Sequence, residues 1–136
     1  MKVIALSRQA ARAAIDAART IGTEFLVGAA ITTLGFVEVS LGNYADALAE
    51  LGPLLASFDS EHGTEIMVGS YLPDAIEALT ALGRLDEADP LVAALETNGA
   101  QHDRAWMLAA GARGRSHVLA ARGDLDAAED AAHEAV

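Results

Sequence analysis

The sequence predicts an all-α fold, a right-handed α-α superhelix of three helical hairpins preceded by one N-terminal helix. Of the 136 residues, 52% are hydrophobic and only 4% are aromatic. Alanine, which has the best intrinsic helix propensity, is the commonest residue. A short motif beginning with glycine occurs three times at a spacing of about 40 residues, a period typical of helical solenoids. A core of alanine and leucine predicts helices that pack closely together.

Apolar residues at helical spacing, interrupted by glycine and polar residues, predict the helices in order. Seven helices are expected at about 4–20, 25–41, 44–57, 64–82, 85–97, 104–122 and 125–136. Longer connections are expected at 59–63 and 97–101, because each holds a glycine among polar residues. One helical-repeat domain over 1–136 follows, with units at about 4–20 (a half repeat), 25–58, 64–98 and 104–136.

The repeat signature is a glycine, a large apolar residue two positions later and an alanine three positions further on. Its members are Gly42, Tyr44, Ala47, Gly83, Leu85, Ala88, Gly123, Leu125 and Ala128. Glycine adopts the left-handed backbone that ends a helix without steric cost, and alanine lets two helices approach closely. Asn43, Asp86 and Asp124 or Asp126 are expected to cap the helix that follows. The signature therefore predicts a tight helical hairpin in each unit.

Three prolines lie within these predicted helices. Pro73 falls inside the helix at 64–82, where proline removes a hydrogen bond and crowds the preceding turn. We expect a kink, or a helix that restarts near Pro73. A kink or a restart of the helix is likewise expected at Pro53 and Pro90.

Composition and motifs exclude several classes of function. The chain has no cysteine, which excludes disulfides, thiolate zinc sites and cysteine nucleophiles. With 9 basic and 20 acidic residues the net charge is −11, which disfavours binding of nucleic acid or an anionic membrane. The only lysine is Lys2 and no phosphate-binding loop motif is present, so no cofactor is expected in this chain. No residue constellation favours an enzyme.

Neither a targeting segment nor a metal site is expected. The apolar run at the start is interrupted by Ser7 and Arg8 before it reaches the length of a signal peptide, which favours a cytoplasmic location. No two histidines are four residues apart, the spacing that brings two imidazoles to one metal on a helix. The four histidines are His62, His102, His117 and His133.

Leu34-Gly35, followed by Gly42, Tyr44 and Ala47, is similar to the tetratricopeptide repeat. The three hairpins are therefore expected to be tetratricopeptide-like. Longer phrases resemble the helical-repeat region of the large ATP-binding LuxR-family transcriptional regulators, of the maltose-activator type. These phrases cover residues 71–79, 82–88 and 119–128, and the resemblance extends over nearly the whole chain.

In that family an ATPase module precedes the repeats and a helix-turn-helix module follows them. The resemblance therefore implies a fragment of a longer protein, with the ATP site in a neighbouring domain. The implied function is a non-catalytic scaffold or sensor segment that binds a protein partner or a small effector. The alternative is an independent tetratricopeptide module for protein-protein interaction.

The resemblance also implies a binding groove, because the first helix of each tetratricopeptide hairpin lines a concave face. The positions that carry over are Thr32, Phe36, Pro73, Glu77, Arg113 and His117. Phe36 would then be an apolar platform, and Arg113 and His117 would bind an anion or a hydroxyl group. The alternative is that Phe36 packs in the core and the polar groups are only solvated.

Further candidates come from the sixth and the last predicted helices. Four arginines, Arg104, Arg113, Arg115 and Arg122, either pair with acids such as Glu87, Asp89 or Asp126 or dock an acidic partner. Trp106 is either a core residue between the second and third hairpins or an exposed anchor. Solenoid ends leave apolar faces open, so the first helix or the last is expected to pair with another copy. In the last helix, the residues expected to make this contact are Ala128, Ala131, Ala132 and Ala135.

Overall fold

The computed structural model describes residues 2–136, and the predicted all-α class is confirmed for them. Eight helices make up 80% of the chain, and no strand occurs in this range. The helices are α1 (Lys2–Thr20), α2 (Glu24–Ser40), α3 (Tyr44–Ala56), α4 (Ile66–Gly69), α5 (Leu72–Ala81), α6 (Leu85–His102), α7 (Ala105–Ala121) and α8 (Leu125–Glu134). The handedness of a superhelix stays a prediction.

The chain forms two compact units, Met1–Phe58 and Asp59–Val136. In the first unit, α1 packs on α2 and α2 packs on α3. In the second unit, α5, α6 and α7 pack on one another, and α8 packs on α7. The boundary coincides with the end of the predicted unit 25–58.

Left-handed glycines end the first helix of each hairpin, as predicted for Gly42, Gly83 and Gly123. Their φ angles are +74°, +73° and +86°. At Gly42, two backbone hydrogen bonds of a Schellman motif close the turn. The Asn43 backbone amide donates to the Glu38 carbonyl and the Gly42 amide donates to the Val39 carbonyl, both at 2.9 Å. Gly22, with φ +70°, ends α1 in the same way and was not predicted.

The predicted helix caps are only partly correct. The Asp124 carboxylate accepts a hydrogen bond from the Ala127 amide at 3.3 Å and caps α8. Asn43 occupies the N-cap position of α3 but its side chain makes no capping hydrogen bond. Asp86 is not a cap, because α6 begins at Leu85 and Arg84 holds the N-cap position.

The predicted helix at 64–82 is wrong, because it is divided into α4 and α5. Pro73 lies in the first turn of α5, where its missing amide hydrogen costs no helical hydrogen bond. The expectation of a restart near Pro73 is therefore confirmed. Pro53 and Pro90 lie inside α3 and α6, and both helices continue past them.

The predicted connection at 97–101 is also wrong, because α6 continues to His102. Asp103, with a left-handed φ of +51°, ends the helix instead. Asn98 and Gly99 resemble a turn locally but are buried by tertiary packing. A Cβ atom on Gly99 would lie 3.0 Å from the Leu108 side chain, so glycine is needed for α7 to approach.

The alanines of the repeat signature lie in the core. Ala47 and Ala88 are fully buried and Ala128 is nearly so, which confirms their predicted place at the hairpin crossings. The large apolar members differ, since Tyr44 and Leu85 are half-buried. Leu125 is 67% exposed, although Ala128 three residues later is buried.

Candidate functional site

An open groove of about 350 Å³ lies between α5, α7 and α8 of the second unit. Its lining residues are Pro73, Ala109, Ala110, Arg113, Ser116, His117, Ala132 and Ala135. Most of them come from one face of α7, at the helical spacing of positions 109, 113, 116 and 117. We call this feature the α7 groove.

Glycines on the other side of α7 position this groove. A Cβ on Gly114 would lie 3.0 Å from the Val92 side chain and 3.2 Å from that of Ile76. A Cβ on Gly111 would lie 2.9 Å from the Glu96 side chain. Because both positions are glycine, α7 packs directly on α5 and α6 and presents its opposite face to the groove.

Charged groups of α5 lie beside the groove. Arg113 Nη2 donates to Glu77 Oε2 at 2.8 Å, and the Arg113 side chain remains 57% exposed. Burial raises the pKa of Asp74, the neighbouring Glu77 carboxylate raises it further, and Arg113 lowers it. The positive charge of Arg113 is therefore partly neutralised by Glu77 of the same unit.

The predicted groove residues are only partly brought together. Pro73, Arg113 and His117 line the α7 groove, and Glu77 reaches it through Arg113. Thr32 and Phe36 belong to the first unit. Thr32 is half-buried and its hydroxyl donates to the Gly28 carbonyl at 2.9 Å.

Phe36 is 57% exposed, so the alternative that it packs in the core is wrong. It shares the exposed side of α2 with Phe25, which is 51% exposed. Sequence reasoning did not predict the small residues of the α7 groove, which are Ala109, Ala110, Ser116, Ala132 and Ala135. Their helical spacing around Arg113 was the available signal.

The arginines near α7 pair with acids of their own unit, as one of the two alternatives predicted. Arg115 forms a two-pronged pair with Glu96, at 3.1 and 2.7 Å, and a further bond of 3.0 Å to Asp89. Arg122 also bonds to Asp89. The Glu96 carboxylate is the main cause of a raised pKa at Arg115.

Two of the acids predicted to pair with these arginines, Glu87 and Asp126, do not do so in the structure. Arg104 pairs with Glu65 at 3.3 Å. Glu87 pairs with Arg84 at 2.7 Å and not with an arginine of α7. No bond between these arginines and Asp126 occurs in the described part of the chain.

Trp106 is half-buried, which lies between the two predicted alternatives. Its indole nitrogen is buried and has no hydrogen-bond partner among the described residues. Trp106 is not one of the residues that line the α7 groove.

An ionic cluster around the buried Glu38 side chain joins α1 and α2 in the first unit. Glu38 is only 4% exposed and accepts from Arg8 Nε at 2.5 Å and Nη2 at 2.6 Å. The Asn43 side-chain amide donates to the same carboxylate at 2.9 Å. The hydrogen bond from Arg8 is the main cause of a lowered pKa at Glu38, and burial opposes it.

Metal ligation and membrane crossing have no structural candidate in residues 2–136. No group of three or more His, Asp or Glu side chains is placed there to hold a metal ion. None of the described helices combines the length and the apolar character that crossing a bilayer requires. Comparisons of the chain with protein-family models, curated proteins and solved structures give no match.

Proposed function

We propose that this chain is a non-catalytic helical-repeat segment whose α7 groove binds a small amphipathic effector. The observation that carries the proposal is the lining of the groove, where alanines adjoin three polar side chains. Sites for small ligands are typically concave and mostly apolar, with a few polar groups that fix orientation. A groove of about 350 Å³ lies at the lower end of the usual size range for such sites.

The side chains define the chemistry of the effector. Ala109, Ala110 and Ala132 offer an apolar surface, while Ser116 and His117 offer hydroxyl and imidazole groups. A hydroxyl or carbonyl group on the ligand suits these two side chains. A carboxylate would instead compete with Glu77 for Arg113, because that pair is already formed at 2.8 Å.

The experiment is ligand-observed nuclear magnetic resonance with short-chain alcohols, ketones and carboxylic acids as probes. We expect binding that Ala110→Leu weakens, because the added side chain fills the groove. Ala120→Leu is the matched control, since Ala120 is an exposed residue of α7 outside the groove. Equal binding signals from Ala110→Leu and Ala120→Leu would show that the ligand does not bind in the α7 groove. Binding by the double variant Arg113→Ala with His117→Ala that equals wild-type binding would show the same.

The wider role that we propose is a cytoplasmic sensor segment of a LuxR-type transcriptional regulator, which passes effector binding to neighbouring domains. Its support is the resemblance of the phrases at 71–79, 82–88 and 119–128. The test is the reading frame that encodes these residues. A P-loop ATPase module before them and a helix-turn-helix module after them are expected, and a frame without either module would exclude this role.

The second candidate is an independent tetratricopeptide module that binds a protein partner. The observation that favours it is the pair of exposed aromatic residues on α2, Phe25 and Phe36. Exposed aromatic side chains are frequent anchors of protein interfaces. Phe25→Ser with Phe36→Ser would then abolish partner binding and leave effector binding in the α7 groove unchanged.

A further inference from the structure

The two hairpins of the second unit, α5–α6 and α7–α8, are related by a shift of 40 residues. Gly83 and Gly123 end the first helix of each hairpin, and α6 and α8 begin two residues after them. Ala88 and Ala128 are buried at equivalent places in α6 and α8. Each residue of the second hairpin therefore has a counterpart 40 positions earlier in the first.

In the first hairpin, three large side chains lie under α7. They are Ile76, Val92 and Leu95, and each is at most 1% exposed. Their nearest atoms lie 3.0 to 3.4 Å from where a Cβ atom on Gly111 or Gly114 of α7 would be. This surface of α5 and α6 is therefore covered by a helix, and that helix is α7.

The counterparts of these three side chains line the α7 groove. They are Ser116, Ala132 and Ala135. Of the alanines expected to contact another copy, Ala128 and Ala131 are instead buried within the second unit, while the other two line the groove. The α7 groove is therefore the surface of the second hairpin that corresponds to the one covered by α7 in the first.

Side-chain size defines the helix that would fit this groove. Serine and two alanines stand where the first hairpin has isoleucine, valine and leucine. The groove therefore has more room than the surface on which Gly111 and Gly114 pack. A matching helix carries larger apolar side chains at the two positions where α7 has glycine.

Charge gives a second property of the matching helix. Arg115 and Arg122 of α7 both bond to Asp89 of α6. The counterpart of Asp89 on α8 is Glu129, which is exposed and lies 3.8 Å from His133. Helix α8 contains four acids and no lysine or arginine. A matching helix therefore carries a basic residue opposite Glu129.

We propose that the α7 groove binds an amphipathic helix of a partner protein, with leucine-sized residues in place of Gly111 and Gly114 and a basic residue opposite Glu129. The groove repeats an interface that the fold already uses, and its charge complements such a helix. A second copy does not supply this helix. Its α7 packs on three helices of its own unit, and Arg8 and Arg12 of its α1 are already paired with acids.

The partner helix and a small effector would exclude each other, because Ala132 and Ala135 line the space that both need. The effector would then act by releasing the helix. That consequence rests on the proposed function, whereas docking of the helix does not. Helix binding is measured without any effector, so either proposal can fail alone.

Fluorescence anisotropy with two labelled peptides and the full chain tests the proposal. The glycine peptide has the sequence of residues 104–122, which includes α7. The leucine peptide carries Gly111→Leu with Gly114→Leu in the same sequence. The wild-type chain should bind the leucine peptide at least about tenfold more tightly, because its side chains fill the groove.

A chain variant that restores the side chains of the first hairpin provides the reciprocal test. In Ala132→Val with Ala135→Leu, the preference for the leucine peptide should fall about tenfold because of overpacking. The higher helix propensity of leucine affects both chains equally, so the change in preference isolates the contact. Ala120→Val with Ala121→Leu is the matched control at exposed positions outside the groove and should keep the wild-type preference.

Removing one carboxylate tests the charge of the site. Glu129→Gln should weaken binding of both peptides severalfold at low salt, where exposed charges are least screened. Asp126→Asn removes the same charge from another exposed position of α8 and should have a smaller effect. Equal effects of the two changes would overturn the assignment of Glu129 to the contact.

Three further results would overturn the proposal. One is that neither peptide binds the wild-type chain. Another is an equal preference for the leucine peptide in the wild type and in Ala132→Val with Ala135→Leu, with circular dichroism showing that the variant is folded. The last is self-association of the wild-type chain that this variant abolishes, which would assign the groove to a second copy.

Discussion

The two units bury different polar groups to hold their elements together. In the first unit the buried group is charged, since the Glu38 carboxylate accepts hydrogen bonds from Arg8 and Asn43. In the second unit it is neutral, because the buried Asn98 amide donates to the Ser60 carbonyl and the Thr64 hydroxyl, each at 2.8 Å. The ion pairs of the second unit lie at partly exposed positions.

This difference shows where charge matters for stability. A buried carboxylate requires its partner, because an unpaired charge in the interior is strongly destabilising. The carboxylates that pair with Arg115 are 30% and 37% exposed, so losing their partner should cost less, because water and salt screen them. A neutral amide avoids the cost of burying a charge, and it also fixes the loop that precedes α4. The second unit therefore carries most of the acids of the chain, and none of their side chains is buried as that of Glu38 is.

The largest expected effect comes from removing a core leucine of one unit at a time. Leu51 and Leu95 are fully buried in the first and second units. Each change to alanine should cost about 2–5 kcal/mol of unfolding free energy, through lost burial and the cavity left behind. Trp106, the only tryptophan, reports on the second unit.

Urea unfolding followed by two probes separates these effects. Leu95→Ala should shift the midpoint of tryptophan fluorescence more than Leu51→Ala does, while circular dichroism should detect both. Equal shifts of both probes by both variants would show that the two units unfold as one cooperative structure. The two units would then differ in the polar groups that they bury but not in stability.

The next effect tests the neutral amide of the second unit. Asn98→Ala leaves the Thr64 hydroxyl and the Ser60 carbonyl without their partner and should cost about 1–3 kcal/mol. Thr97→Ala is the matched control on the exposed side of the same helix and should change stability by less than about 0.5 kcal/mol. Amide hydrogen exchange should also accelerate in the loop at 59–64. A loss confined to global stability would contradict the role of Asn98 in holding that loop.

Local turn chemistry made much of the fold predictable from the sequence. Gly42, Gly83 and Gly123 end helices for reasons that lie within a few residues of each. Gly22 makes the same turn but lacks the signature, because Glu24 and Val27 occupy the positions of the large apolar residue and the alanine. The glycine of this turn is therefore present without the rest of the repeat signature.

Tertiary packing determined what the sequence could not predict. Asn98-Gly99 has the local pattern of a turn, yet Leu108 packs where a Cβ of Gly99 would be, and α6 continues. For the α7 groove, Pro73, Arg113 and His117 followed from the resemblance. Its alanines did not, because whether an alanine lines a groove or the core depends on the helices that surround it.

A smaller change in unfolding free energy is expected when either of two helical glycines of the first unit is replaced by alanine. A Cβ on Gly35 would lie 2.4 Å from Leu51 Cδ2, whereas a Cβ on Gly52 would meet nothing within 4 Å. Gly35→Ala should therefore destabilise the unit, since overpacking costs about 1–3 kcal/mol and the gain in helix propensity is about 1 kcal/mol. Gly52→Ala should stabilise it by up to about 1 kcal/mol. Unfolding in urea measures both, and a stabilising Gly35→Ala would show that the Leu51 side chain moves away freely.

The smallest effect sharpens the contrast between buried and exposed charge. Asp59 and His62 form an exposed pair at 3.0 Å in the second unit. Hydrogen bonds from the Glu61 amide and then from His62 lower the pKa of Asp59, and the Asp59 carboxylate raises the pKa of His62. The contribution of Asp59 is present above its ordinary value of 3.8 and lost as pH falls through its lowered pKa. That of His62 is present below 6.5 and lost as pH rises through its raised pKa.

The pair is therefore expected to stabilise the loop most at pH values between the lowered pKa of Asp59 and the raised pKa of His62. Titration of the His62 imidazole by nuclear magnetic resonance measures this, with Asp59→Asn as the comparison. The pKa of His62 should fall toward its ordinary value in Asp59→Asn, while global stability changes little because both side chains are exposed. A His62 pKa that is the same in both proteins would show that the pair does not form in solution. A large loss of stability would show that an exposed pair of the second unit acts like the buried Glu38 cluster of the first.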